Sequence, residues 1–186
     1  MILDTITFSA SQVSELTGVS NDNIQNWIKR KLIVGHREIK GGGSQGRHRR
    51  FTFHNVMEIA LIAALSEAGL SASDAARAAP MFAHTSGGGT FEDTPARDPG
   101  LPFHFKHGWT YFAVGRERTT EELWKPGEEY DTFGRIIEKV GEAFTVVNVT
   151  RIFDLVCARL QAMTGEMQTF HPSKLLDEAY PEDARG

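Results

Sequence analysis

The 186-residue chain has a single cysteine, Cys157. One thiol excludes an internal disulfide and a cysteine-cluster metal site within one chain. Long apolar runs are also missing, so no segment is expected to span a bilayer and no membrane is expected as a partner. Residues 1–8 have neither a basic stretch nor a long apolar core. No secretory signal is read there, and the cytoplasm is the expected location. Positive charge is in short supply overall: 20 Lys and Arg stand against 24 Asp and Glu, a net charge of −4. Taken as a sum, that argues against a nucleic-acid ligand. No grouping of nucleophile, base and orienting side chain is visible, so no enzyme, catalytic residue, metal or cofactor is expected.

What the sum hides is a basic window. Between Lys29 and Arg50 lie eight Lys and Arg and one acid, Glu38, which leaves 12 basic and 23 acidic residues for the rest of the chain. Phosphate contact depends on local charge, so this window is what a DNA-binding surface needs.

The elements around it follow from caps and periodicity. Ser9 can cap a helix with Val13 and Leu16 on one face, and Gly18 ends it. Ser20 caps a second helix, where Ile24, Trp27 and Ile28 face inward. Asn21, Asn23, Gln25, Asn26, Lys29 and Arg30 are left outside. Residues 32–39 and 47–51 read as two short strands around the glycine-rich tip 41–46. Thr52 can cap a third helix through Glu67, apolar over so wide an arc that it is a buried scaffold. Ser71 or Ser73 starts a fourth helix through Ala79, stopped by Pro80. Helix, Gly-containing turn, polar helix, basic hairpin and apolar helix make a winged helix-turn-helix. Its second helix would read base edges in the major groove, and its basic hairpin would grip phosphates.

The segment Ser9-Ala10-Ser11-Gln12-Val13-Ser14-Glu15-Leu16-Thr17-Gly18-Val19-Ser20 resembles the opening of the MerR family of bacterial transcription regulators. Ile24, Trp27 and Leu32-Ile33 fit that family's core positions. Arg49-Arg50-Phe51-Thr52 resembles its Arg-x-Tyr-Ser at the return of the wing. Glu67-Ala68-Gly69-Leu70-Ser71 resembles the junction before its fourth helix. The resemblance covers about residues 8–79. It implies a sequence-specific regulator that binds double-stranded DNA as a homodimer, with RNA polymerase as a further partner and an effector it leaves unidentified. The DNA-binding residues are then Asn21, Asn23, Gln25, Asn26, Lys29, Arg30, Lys31, Arg37, Arg47, His48, Arg49 and Arg50. There are departures. Gln25-Asn26 stands where the family often has Arg-Tyr, and Lys31 where it has Gly before the strand. A Gly/Pro stretch follows the fourth helix in place of a long dimerising helix. The alternatives are an excisionase-like architectural factor, and a ligand-binding protein whose basic hairpin meets a protein partner.

The expected fold class is α+β. A winged helix-turn-helix at 1–80, able to fold alone, precedes a Gly/Pro linker at 81–102. A small α/β dimerisation or effector domain follows at 103–165, then a polar tail at 166–186. In the third part, strands are expected at 103–106, 109–114 and 144–149, and helices at 133–140 and 150–163. The apolar stripe Val149, Phe153, Val156, Leu160 and Met163 fits either the chain's own sheet or a second subunit. His104 and His107 lack a third ligand nearby and read as ordinary histidines. Cys157 reads as a buried structural thiol. Trp109, Tyr111 and Phe112 read as core rather than as a ligand pocket.

Overall fold

The computed structural model describes residues 1–33, 49–87, 96–127 and 131–185. Its order is α1 (Ala10–Thr17), α2 (Asn21–Lys29), α3 (Phe53–Glu67), α4 (Ala72–Ala83), β1 (Trp109–Val114), β2 (Thr119–Trp124), α5 (Thr132–Val140), β3 (Thr145–Asn148), α6 (Val149–Thr164) and α7 (Pro172–Ala179). The fold is α+β: four helices, then a three-stranded antiparallel sheet in the order β2-β1-β3 with helices on both faces. No described helix is long and apolar enough to cross a membrane.

The N-terminal helices start where the sequence places them. Ser9 and Gln12 form a reciprocal capping box at α1, and Thr52 and Asn55 form another at α3. Ser20 caps α2 and Ser71 caps α4 through their side chains. Ten of the fifteen residues of α3 are buried, on every side of the helix. Such a helix has no face to give to water and must be covered all round. One side is covered by α1 and α4, the other by α6 and β3. The contact with α6 includes Phe53 and Phe153, edge to face at 6.2 Å. One apolar core therefore runs from Leu3 to Tyr180.

Several expectations are corrected by this shared core. Pro80 does not stop α4, which continues to Ala83. An interior proline removes one helical hydrogen bond and costs roughly 3 kcal/mol. Burial of Phe82 and Ala83 just beyond it offsets that loss. The expected linker is not a free connector where it is described. Arg97 is 0% exposed and lies 3.7 Å over the ring of Phe82. Its Nε donates to Glu121 at 2.6 Å, Nη2 donates to the other oxygen of that carboxylate, and Nη1 donates to the carbonyls of Phe82, Thr85 and Asp98. Residues 88–95, with the expected Gly89 and Pro95, lie outside the described residues.

Nor is there a strand at 103–106. Phe103 is buried, and Phe105–His107 form a 3-10 turn. The strand that was not foreseen is β2, whose Thr-Thr-Glu-Glu opening carries no apolar alternation. It pairs with all of β1, from Trp109 opposite Trp124 to Val114 opposite Thr119. The polar tail is folded too. In α7, Leu175 and Leu176 are fully buried, and Tyr180 donates to the carbonyl of Pro102 and accepts from the N–H of Asp98.

The alternating faces of β1 separate the three aromatics that were expected together. Phe112 packs in the shared core beside Phe82, at 5.8 Å. Tyr111 and Trp109 lie on the opposite face, half-buried and exposed. The stripe on α6 is used internally, with Val149, Phe153, Val156 and Leu160 buried and Met163 packed against them. It is not available to a second subunit.

Two outcomes follow. Arg97→Ala deprives the half-buried Glu121 carboxylate of the guanidinium that donates to both of its oxygens and takes one donor from each of three carbonyls, so urea denaturation should show a loss of about 3–5 kcal/mol. A loss within experimental error would mean that this segment does not anchor the fold. A fragment of residues 1–80 would expose the side of α3 that α6 covers. It should show no cooperative thermal transition, where an independent domain would melt sharply.

Candidate nucleic-acid interface

The turn between α1 and α2 is tight because Gly18 ends α1 at φ 78°, a left-handed conformation that suits glycine. From behind, Arg159 of α6 donates through Nη1 to the carbonyl of Leu16 at 2.9 Å. That carbonyl is one of the acceptors a helix end leaves open. A Cβ at position 18 would stand 3.4 Å from the same guanidinium. The C-terminal half of the chain thus holds the turn that sets the angle of α2.

Helix α2 is divided by its periodicity. Ile24 is fully buried, and Trp27 and Ile28 are half-buried against the core. Trp27 is thus less enclosed than an all-inward stripe implies, because it sits at the edge of the buried arc. Asn21, Asn23, Asn26, Lys29 and Arg30 are exposed, as expected. Gln25 is half-buried for a specific reason: its Oε1 accepts from Nη1 of Arg49, two residues before the bridge that Phe51 makes with Phe8. Arg50 is exposed, next to the bridge between Phe51 and Phe8. Asp22, in the first turn of α2, was not among the expected site residues. A carboxylate there complements the helix N-terminus but repels phosphate. The cations gather at the other end, at Lys29, Arg30 and Lys31.

The end of α2 explains one departure from the resembled family. Lys31 donates to Ile28 and Leu32 donates to Trp27, at 3.0 and 2.9 Å. This is a Schellman termination, which requires the residue at position 31 to be left-handed. Lys31 has φ 55° and is the one described non-glycine residue with positive φ. The family's glycine serves this geometry, whereas here a lysine accepts the strain and adds a cation.

Structure thus brings together Gln25 with Arg49, and Lys29 with Arg30 and Lys31. Arg37, Arg47 and His48 lie outside the described residues, as do residues 34–39 and 47–48 of the expected hairpin strands and the tip 41–46. Leu32 and Ile33 are described and form no strand; Ile33 is fully buried. Elsewhere, His104 stands 2.9 Å from Asp177 and His107 3.0 Å from Asp183. Among the described residues no set of histidine, cysteine and carboxylates is arranged for a metal. Burial, reinforced by the charge of Asp154, pushes the Cys157 thiol far above its ordinary range. It is therefore not a readily ionised thiolate of the kind that senses oxidants.

Residues 8–81 match the family model described as MerR HTH family regulatory protein. The match spans α1 to α4 almost to its end, and these residues are a MerR-type helix-turn-helix. No curated protein matches the chain.

Lys31→Gly tests the geometry at the end of α2. Relief of a left-handed side chain should raise stability by about 1 kcal/mol. If Lys31 also meets a phosphate, the salt dependence of DNA binding should become shallower by about one unit of log-log slope. A destabilised Lys31→Gly protein would contradict the left-handed assignment.

Proposed function

We propose, with the MerR-type helix-turn-helix at residues 8–81 as premise, that this chain is a sequence-specific, double-stranded DNA-binding transcriptional regulator of the cytoplasm. It has no catalytic role in this reading. The observation that supports it best is the outward face of α2: amides in its middle, cations at its end, and rigid supports behind and beside it. Asn26 and Gln25 present donor and acceptor pairs suited to the adenine edge in the major groove. Lys29, Arg30, Lys31 and Arg50 would take phosphates, which position the helix without reading sequence. The contact from Arg49 fixes the side chain of Gln25 before DNA arrives, so less entropy is lost on binding.

One such helix reads a half-site. Two copies on half-sites about 34–36 Å apart would read a palindrome, which is why a homodimer belongs to this reading. RNA polymerase belongs to it as the machinery being regulated.

The test is selection of binding sites from random duplex DNA, followed by salt titrations on the selected site and on an unrelated duplex. A single enriched motif is expected. Arg50→Ala should weaken both duplexes equally and reduce the salt slope by about one unit. Arg49→Ala should instead narrow the difference between selected and unrelated DNA, because it frees Gln25. Selection that enriches no motif, or an Arg49→Ala protein with full discrimination, would overturn the proposal.

A further inference from the structure

We propose that the cleft between α5 and the outer face of the sheet binds a neutral, flat, two-ring aromatic molecule carrying one hydrogen-bonding group. This inference does not rest on DNA binding, and it is tested without DNA.

The register of the sheet puts Tyr111 and Ala113 of β1, Glu122 and Trp124 of β2, and Val146 of β3 on one face. Helix α5 lies across that face unevenly. Towards its C-terminus, Ile136 and Val140 close down on Ala113, with Phe144 and Val146 beside them. Towards its N-terminus a cavity of about 280 Å³ remains, lined by Tyr111, Trp124, Thr132, Phe133, Ile136 and Val146.

Polar pins at two points hold the helix at this distance. Thr132 donates to the carbonyl of Leu123 at 2.8 Å, inside the protein. Lys139 reaches the buried Glu122 at 2.6 Å. Closing the gap would stretch or break these bonds, and a buried carboxylate left without its cation is costly. The cavity is thus a consequence of how α5 is attached, and not a space that repacking would remove cheaply.

The lining selects the ligand. Three of the six residues are aromatic and none is charged. A charged ligand would lose its hydration without finding a counter-ion among the described lining residues, so a neutral one is favoured. Aromatic walls favour a flat one. For size, an apolar cavity of about 150 Å³ is enough to hold benzene. This one is nearly twice as large, which suits two fused rings. A polar handle is available as well. The Thr132 oxygen donates to Leu123 and still has lone pairs to accept with, and the Tyr111 hydroxyl is engaged by no described residue. The mouth is apolar: Phe133 is 61% exposed, and Trp109 lies 5.2 Å from Trp124, ring centre to ring centre.

The probe is 2-naphthol, titrated calorimetrically into the full chain, with 2-naphthalenesulfonate as a charged control of the same ring system. Saturable one-to-one binding of 2-naphthol is expected, with the sulfonate weaker by about tenfold or more. Ile136→Trp should fill the cavity and abolish binding. Should that variant fail to fold, Phe133→Ala decides. It removes a mostly exposed ring, so the melting temperature should stay unchanged while binding weakens by about fivefold. Absence of saturable binding, equal binding of the sulfonate, or undiminished binding in Phe133→Ala would overturn the proposal. So would a chain that dimerises through this cleft, shown by Phe133→Ala converting a dimer to a monomer while 2-naphthol does not bind.

Discussion

Everything in this molecule depends on how α3 is kept from water. It is a helix with apolar residues on all sides, and two short helices of a helix-turn-helix cannot enclose it. In this chain α1 and α4 cover one side, and α6 with β3 covers the other. The DNA-binding unit and the C-terminal half are therefore built on the same core. From this arrangement follows the hold of Arg159 on the last turn of α1, because α6 is already packed beside it. A change in how α6 sits on the sheet has a direct mechanical route to the turn before α2.

The polar contacts that hold β2 in place are expensive ones. Arg97 with Glu121, and Lys139 with Glu122, take charges out of water, and such pairs add little net stability compared with apolar substitutes. What they fix is geometry. Glu121 and Glu122 are adjacent on β2 and point to opposite faces of the sheet. One is tied to the segment after α4, the other to α5. The strand is thereby locked in register against two neighbours at once. The same locking leaves the cleft beneath the start of α5.

Much of the first half was legible in the sequence because its signals are local. Ser9, Ser20, Thr52 and Ser71 each act on a backbone N–H three residues away, and Gly18 acts on its own φ angle. The inward and outward faces of α2 follow from helical periodicity alone. What was not legible depends on partners far along the chain. The Thr-Thr-Glu-Glu run of β2 reads as loop until Arg97 and Lys139 are seen beside it. Residues after 165 read as a polar tail because the surface that Leu175, Leu176 and Tyr180 bury against comes from elsewhere. At the candidate interface, the residue types on α2 were readable. The supports were not, since Arg49 is 24 residues from Gln25 and Arg159 is 143 from Leu16. Lys31 was visible as a departure from a family pattern, and its left-handed backbone supplies the physical reason that the pattern holds a glycine.

A shared core makes one demand that can be measured amide by amide. Under native conditions, the slowest-exchanging amides of α3 and α6 should open only in global unfolding, with the same free energy and the same dependence on denaturant. If α6 instead opens at lower free energy while α3 stays protected, the two halves are separable units, and the helix-turn-helix does not depend on the C-terminal half for its fold.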